Sequence, residues 1–552
     1  MNQASIKQLL KHRETFLKYP FQILFDSQSL PIHESPECIR IATAQTSASR
    51  NTLVTYLRNL GEKRPIQLRY CPPTSISLAL EESFKVRNTE TSLAELRTRM
   101  PRESAHTVIT RYQKLFLSSA LLMFICGLWT NYQLTLFIIV ASISVGYFMF
   151  NLLKQGIMAY GLKNHVFKND NLPKNLPRNW PTYTILVPLY KEANVMDELV
   201  KNLHNLDYPK DKLQIMILLE ENDSEAIEKA QGMKFPSSAF ETLIVPKAPI
   251  QTKPRACNYG LLTARGEYCV IFDAEDRPDP LQLKKSVLAF RKSSKRTICL
   301  QAKLGYFNPL QNWLTRCFTL EYSFWFNHYL PSLHLIGGPI PLGGTSNHFV
   351  TEKLREIGGW DPYNVTEDAD LGMRLFKHHY VTGVINSVTL EEANSHFNNW
   401  LRQRSRWQKG YVQTFLVHMR DPAKLINKMG WKGFALFLMT FGSNVFCTLV
   451  NPFLLLITIL SIIRPQEVNF LFAHHMGEIM LINFFMGMFI YGVIHFIAAI
   501  TAKEYRLAFW SLTIPFYWII ISLGAWKGLL QLITKPFYWE KTIHGLALPA
   551  KV

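Results

Sequence analysis

At 552 residues the chain is too long for one ordinary core, so two or more domains are expected. Its 48% apolar content is unevenly spread, nearly charge-free blocks alternating with polar ones, which excludes a simple soluble globule. The net charge of +19 suits phosphorylated substrates or anionic lipid; no nucleic-acid partner is expected, because the basic residues cluster beside the apolar runs, as the positive-inside rule requires.

Residues 1–95 read as a small α/β domain. Ile39–Ala42 and Ile66–Tyr70 have strand character, and Thr52–Leu60 and Ser75–Phe84 have helix character. Met1–Leu30 carries charges throughout and lacks an apolar core followed by a cleavage site, so it is not expected to be a signal peptide. A basic connector, 96–114, leads into Leu115–Leu153, which is free of charge and long enough for two passes of about 20 residues. The break at Thr130–Gln133 suggests a tight turn. Arg97, Arg99, Arg102, Arg111 and Lys114 flank this hairpin on one side, and Lys154, Lys163, Lys168 and Lys174 on the other, so both flanks are expected to be cytoplasmic.

Residues 180–420 return to soluble composition. Apolar, β-branched-rich runs (TYTILVPLY, QIMILLE, YCVIFDA) alternate with helix-like segments, which predicts a parallel sheet with crossover helices and a site beyond the strands' carboxyl ends. Residues 421–545 are apolar again. Gly433–Ile463 and Ile479–Ile500 read as spans. Leu507–Ile533 is broken by Pro515 and Lys527 and reads as a helix at the cytoplasmic surface, giving four spans, with five as the alternative. The eight cysteines include no C-x-x-C pair and no zinc spacing, and are expected to be reduced and structural, as on a cytosolic face.

Three clusters carry the chemistry. Asp273 and Glu275 lie two apart where a strand ends, a spacing that lets a turn aim both at one Mg²⁺ or Mn²⁺; such ions take carboxylate oxygens and keep other positions for phosphate and water. Asp276 is a further candidate for the same ion. Thr366-Glu367-Asp368 supplies a second pair of carboxylates, suited to proton transfer. Gln403, Arg406 and Trp407 form an aromatic-basic cluster whose guanidinium suits phosphate-bearing groups.

The ordered blocks ILVPLYKEA, LLEENDSE, TKPRACNYGL, FDAEDRPDP, PLGGTSNHF, VTEDADLGMRL and QRSRWQKG, with the tail KPFYWEKTIHG, resemble the inverting, membrane-integrated family 2 glycosyltransferases, the group that contains cellulose synthase. That resemblance implies an α/β GT-A (Rossmann-like) catalytic domain plus an α-helical transmembrane region. It implies that Pro188, Tyr190 and Glu192 cradle the nucleoside of a nucleotide-sugar donor. Glu221 and Asp223 would contact base and ribose, although Asn222 interrupts the usual acidic pair. Lys253 and Asn258 would lie over the diphosphate and sugar, and Gly343 and Gly344 would let the backbone approach the sugar. Asp273 and Glu275, with Glu in place of the usual second Asp, would hold the metal. Asp368 would be the base, oriented by Glu367, with Asp370 as its rival; a pairing of Asp370 with Arg374 is the alternative. Gln403, Arg406 and Trp407 resemble the signature of processive members.

The N-terminal block, with IRIATAQ and the helix–strand–helix pattern after it, resembles the N-terminal domain of type II secretion ATPases. Together these readings imply a hexosyltransferase, using a UDP-sugar by expectation, at a bacterial inner membrane, with a cytoplasmic catalytic domain and a sugar or lipid-linked acceptor. Its product would be a β-linked polysaccharide, with a homo-oligomer or export partners completing a channel. The alternatives are a non-processive transferase acting on a lipid, or a decayed membrane receptor or scaffold.

Overall fold

The runs rich in branched aliphatic residues form the central strands of an eight-stranded sheet. The computed structural model describes residues 3–44, 52–164, 176–543 and 545; Lys168, Lys174, Gln45 and His544 lie outside them. In chain order the N-terminal strands are β1 (Ser29–Glu34), β2 (Ile39–Thr43) and β3 (Ile66–Tyr70), and the main-sheet strands are β4 (Tyr183–Leu189), β5 (Leu213–Glu220), β6 (Phe240–Val245), β7 (Tyr268–Ile271), β8 (Arg277–Pro278), β9 (Thr297–Tyr306), β10 (Asn347–Val350) and β11 (Val381–Glu391). The main sheet has the order β6-β5-β4-β7-β10-β9-β11-β8. The β6-β5-β4-β7 half is parallel, as expected, but β10 is antiparallel to both neighbours and β8 is antiparallel to β11. The sheet is therefore mixed rather than parallel. Its second half is built by strands that return to the sheet without a simple helical crossover, an order that local composition does not encode.

Both faces of the sheet are covered. Ile185, Val187, Ile215 and Ile217 join one core with Met196, Leu199 and Leu203, and Leu186, Met216 and Leu218 join the opposite core with Ala256, Cys257 and Leu261. The alternation follows from the two-residue pleat, and the continuous apolar runs from burial on both sides. At residue 271 the parallel half has ended, and the carboxyl ends of β4, β5 and β7 open on one edge.

The N-terminal unit is a three-stranded sheet, order β1-β2-β3, with β1–β2 antiparallel and β2–β3 parallel. Helices around it bury Phe16, Leu24, Leu53, Ile76 and Phe84 against Ile39 and Ile41. The helix foreseen over Ser75–Phe84 runs much further, Pro73–Arg99, and reaches the main domain, where Asn258 Nδ2 donates to Ser92 O at 3.1 Å.

The apolar stretch after the connector is helical over Arg111–Asn164, broken at Asn131 (φ −156°, ψ 92°). A Cβ built on Gly127 would stand 2.8 Å from Thr135 Oγ1, whereas eight residues of straight helix would separate them by about 12 Å. The chain therefore reverses at Asn131, inside the expected turn. Asn131 Oδ1 accepts from Leu134 N–H at 3.0 Å and so caps the second limb.

Among the described residues, Arg111–Gly161, Pro422–Ile463 and Tyr505–Thr534 are long and apolar enough to cross a membrane, and Met476–Phe485 and Tyr491–Thr501 are shorter apolar helices. Gly430 (φ 71°) splits Pro422–Phe437, separating a polar lead-in from the apolar helix. Half of the most apolar window of Tyr505–Thr534 is buried in the protein. This segment packs on the Phe397–His418 helix, and its glycines set the spacing: a Cβ on Gly528 would lie 2.5 Å from Ser405 O, and one on Gly524 3.0 Å from Arg404 Cβ. All eight cysteines are free thiols.

Candidate active site

A cavity of about 340 Å³ lies at the carboxyl edge of β4, β5 and β7, between the main sheet and the Phe397–His418 helix. Each of its walls comes from a separate sequence cluster. Pro188, Tyr190 and Glu192 follow β4; Lys253 opens the Lys253–Leu262 helix; Asp273 and Glu275 follow β7; Gly343 and Gly344 precede β10; Glu367 and Asp368 open the Glu367–Lys377 helix; Gln403, Arg406 and Trp407 come from Phe397–His418.

Lys253 is the hub. Its ammonium is ion-paired with Asp273 and donates to Gly344 O at 2.7 Å. A Cβ on Gly344 would lie 3.5 Å from Asp368 Oδ2 and 3.7 Å from Lys253 Nζ. Gly344 thus stands beside both the Asp273–Lys253 pair and Asp368, which share one small space.

The two carboxyls of the second cluster have different surroundings. Asp368 Oδ1 accepts from Ala369 N–H at 2.8 Å. Burial raises the Asp368 carboxyl above its ordinary value, and the Ala369 N–H, Lys253 and Arg406 hold the rise down. Glu367 is raised further, by burial and then by the Asp368 charge. Burial opposes the Lys253 charge, yet Asp273 and then Glu367 lift it above its usual range. The site therefore keeps Lys253 charged while making Glu367 and Asp368 reluctant to ionise.

Arg404 and Arg406 divide their labour. Arg404 is buried, forks onto Glu321, donates to Tyr517 OH at 2.7 Å and stacks on Phe318 and Trp407. It fixes the helix to its neighbours. Arg406 packs its guanidinium 4.5 Å from the Trp539 ring, and its Nε is buried without a hydrogen-bond partner. An unmatched cationic donor on a cavity wall fits an anionic ligand. Gly410 seats this helix on the acidic cluster, since a Cβ there would overlap Thr366 Oγ1 at 2.1 Å.

Four expected residues are not on the wall. Asp276, a candidate metal ligand, is fully buried; its Oδ2 accepts from Asp273 N–H at 2.7 Å and from the Thr345 hydroxyl, so it braces the loop that presents Asp273. Asn258 is engaged by Ser92 O, Trp360 O (2.8 Å) and Trp360 N–H (2.9 Å), anchoring the helix that carries Lys253. Glu221 turns outward to Lys247 N–H and Lys85. Asp223 accepts from Lys191 N–H and caps the next helix at Ala226. Glu220, one residue earlier, lines the cavity instead, paired with Arg255 at 3.3 Å. In each case a local backbone or packing demand claims the polar group. Asp370 likewise pairs with Arg374 (2.9 Å) and His418 (3.1 Å) behind the wall.

Sequence reasoning missed Tyr322, Trp539 and Lys541. The tail after Thr534 folds back across the Phe397–His418 helix. Lys409 Nζ donates to Tyr538 O at 2.6 Å, Ser405 Oγ to Glu540 at 2.9 Å, and Lys541 reaches Glu192 (3.1 Å) and the Tyr190 carbonyl. The density of Trp, Lys and Glu in KPFYWEKT was the available signal.

Asp273 and Glu275 fit a divalent cation: both line the cavity, and two carboxylates are what Mg²⁺ or Mn²⁺ needs when phosphate and water supply the rest. Among the described residues no group of three or more His, Cys, Asp and Glu is gathered to hold a metal on protein ligands alone.

Residues 184–346 match the family described as glycosyl transferase family 2, and residues 268–521 match glycosyl transferase family group 2, so the two ranges together bracket every wall of the cavity up to Ile521. Both matched models describe family 2 glycosyl transferases, and each covers less than half of the chain. Beta-monoglucosyldiacylglycerol synthase of Synechocystis sp. is 26% identical to this chain over 259 residues, 46% of it and 52% of the relative. The probable glucomannan 4-beta-mannosyltransferase 14 of Arabidopsis thaliana is 25% identical over 284 residues, 49% of this chain and 52% of the relative. The chain thus spans about half the length of these curated relatives. Among solved structures, the mannosyltransferase PcManGT from Pyrobaculum calidifontis, in complex with GDP-Man and Mn²⁺, is similar with a TM-score of 0.43 at 15% identity, covering 71% of this chain and 99% of that one.

Proposed function

We propose that the chain is an inverting hexosyltransferase of GT-A type, moving a sugar from a nucleotide-diphosphate donor to an acceptor hydroxyl at a membrane. The supporting observation is that Asp368 and the Lys253–Asp273 pair share one small space beside Gly344, where a built Cβ would lie 3.5 Å from Asp368 Oδ2 and 3.7 Å from Lys253 Nζ. Asp368 takes the proton of the acceptor hydroxyl as that oxygen bonds to the anomeric carbon. The bond from that carbon to the diphosphate breaks on the opposite side, and its electron pair leaves with the nucleoside diphosphate. Lys253 and Arg406 bind the departing oxygens, Arg406 held in orientation by Trp539. Tyr190 and Glu192 flank the nucleoside, and Trp407, beside Tyr322 (ring centroids 6.3 Å apart), walls the acceptor side. A cation held by Asp273 and Glu275 would supply charge neutralisation at the diphosphate.

Processive synthesis of a β-linked polysaccharide is the favoured outcome, supported by the Gln403, Arg406, Trp407 signature and by the glucomannan synthase relative. The glucosyldiacylglycerol synthase relative makes single transfer to a lipid the second reading. The apolar helices support an inner-membrane setting with the family 2 domain on the cytoplasmic side, and the N-terminal unit is read as a docking domain of the secretion-ATPase type.

The test is release of nucleoside diphosphate from a panel of UDP- and GDP-hexoses by the full chain with Mg²⁺ or Mn²⁺, repeated with Asp368→Asn. Release abolished in the variant supports the reading. No release from any donor by folded protein would favour a scaffold. A product ladder marks processive synthesis, and a single adduct marks one transfer.

A further inference from the structure

Asn444 and Trp518 line the catalytic cavity and also a second cavity of about 190 Å³ that lies among the apolar helices. The lining of this second space is mainly apolar but includes the polar side chains of Ser144, Asn151, Lys154 and Asn483. Ser144 Oγ, Asn444 Oδ1 and Asn483 Oδ1 are all buried with no hydrogen-bond partner. Buried polar atoms of this kind cost free energy unless a ligand or water meets them.

Lys154 sets the sign of the ligand. A lysine flanking an apolar helix usually extends toward the lipid head groups. This one turns inward, its ammonium 5.4 Å from the Tyr329 ring centre and 5.7 Å from those of Tyr491 and Trp518. Among the described residues no Asp or Glu lines the cavity. Glu321, the carboxylate nearest in effect, is already engaged by Arg404 and Tyr517. Lys154 meets rings but no lining carboxylate, so an anion beside the hydroxyl and amide groups would supply its missing counter-charge. Leu455 and Phe484 line the same cavity and are 39% and 48% exposed on the outer surface of the helices, so its ligand can extend into an apolar medium.

We propose that this cavity binds the phosphate of a lipid head group, the phosphate on Lys154 and the acyl chains among the apolar helices, adjoining the acceptor side of the catalytic cavity. The acceptor role of that lipid rests on the transferase reading; its binding does not. A lipid rather than a free phosphate is favoured because the site sits within apolar helices and reaches outward-facing apolar side chains.

The test uses the purified full chain in detergent with three probes: dioleoyl phosphatidic acid, dioleoylglycerol and glycerol 3-phosphate. Retention is read by native mass spectrometry. Phosphatidic acid is expected to be retained, dioleoylglycerol not, and equimolar glycerol 3-phosphate is expected not to displace the lipid. Lys154→Gln should weaken retention about tenfold, the scale of one charge-assisted contact, and Lys154→Arg should stay within about threefold of the unaltered chain. Asn483→Leu, which lines only this cavity, should weaken it several-fold. Equal retention of dioleoylglycerol, displacement by glycerol 3-phosphate, or unchanged retention in both Lys154→Gln and Asn483→Leu would overturn the proposal. Lipid retention without nucleotide release from any donor would keep this site and sink the transferase reading; nucleotide release without lipid retention would do the reverse.

Discussion

Lys253 Nζ is ion-paired with Asp273 although the two residues lie twenty positions apart on a helix start and a strand end. The ammonium thus touches one of the two carboxylates that would hold the cation. Lys253→Met removes this charge and leaves Asp273 without it. Donor KM should rise about ten- to a hundredfold, with a smaller effect on folding, measured by nucleotide release against donor concentration. An unchanged KM would place the diphosphate elsewhere.

Asp368→Asn keeps the shape and the Ala369 N–H contact but cannot accept a proton. Loss of general-base catalysis predicts a fall in kcat of about 10²–10⁴-fold with donor affinity retained. If activity persists, the proton goes to another group, Glu367 on the same cavity wall being the candidate.

Burial raises the Asp368 carboxyl above its ordinary 3.8. A base works only when ionised, so activity should be lost as pH falls through that raised value. The acid limb of kcat/KM should therefore lie above the range of an exposed aspartate. The same shift means that ionising Asp368 opposes folding: its contribution to stability is fully present below the unfolded value and is lost as pH rises through the folded one. Lys253→Met should move the acid limb further up, because Lys253 lowers the Asp368 value.

Arg404 and Arg406 are two residues apart and should respond oppositely. Arg404→Met strands Glu321 in a largely buried pair and should cost about 3–5 kcal/mol of stability, seen as a lower thermal midpoint. Arg406→Met should leave the midpoint near its original value and lower kcat/KM about tenfold or more. Equal midpoints for both variants would contradict this division.

The tail strap predicts a long-range dependence. Lys541→Ala removes the contact to Glu192 and the Tyr190 carbonyl and should raise donor KM several-fold without changing metal preference. Truncation at 535 should do the same and also lower stability, since Tyr538 and Glu540 hold the Phe397–His418 helix.

Sequence by itself determined what depends on local pattern. The strands β4, β5 and β7, the reversal near Asn131 and the carboxylate and Arg-Trp clusters were legible, because pleat alternation, a charge-free run and motif spacing are written in neighbouring residues; Tyr505–Thr534, read from sequence as a surface helix, is long and apolar enough to cross a membrane. Tertiary structure decided which polar groups face the cavity. Asp276, Asn258, Asp223 and Glu221 carry suitable chemistry, yet each is claimed by a backbone N–H, a carbonyl or a lysine brought near by folding. It also set the antiparallel insertion of β10 and β8 in the sheet, the reach of the Pro73–Arg99 helix and the return of Trp539 and Lys541 to the site. A hydrogen bond is satisfied by whichever partner arrives in space, and strand order is fixed by long-range packing, so neither is recorded in the spacing of residues along the chain.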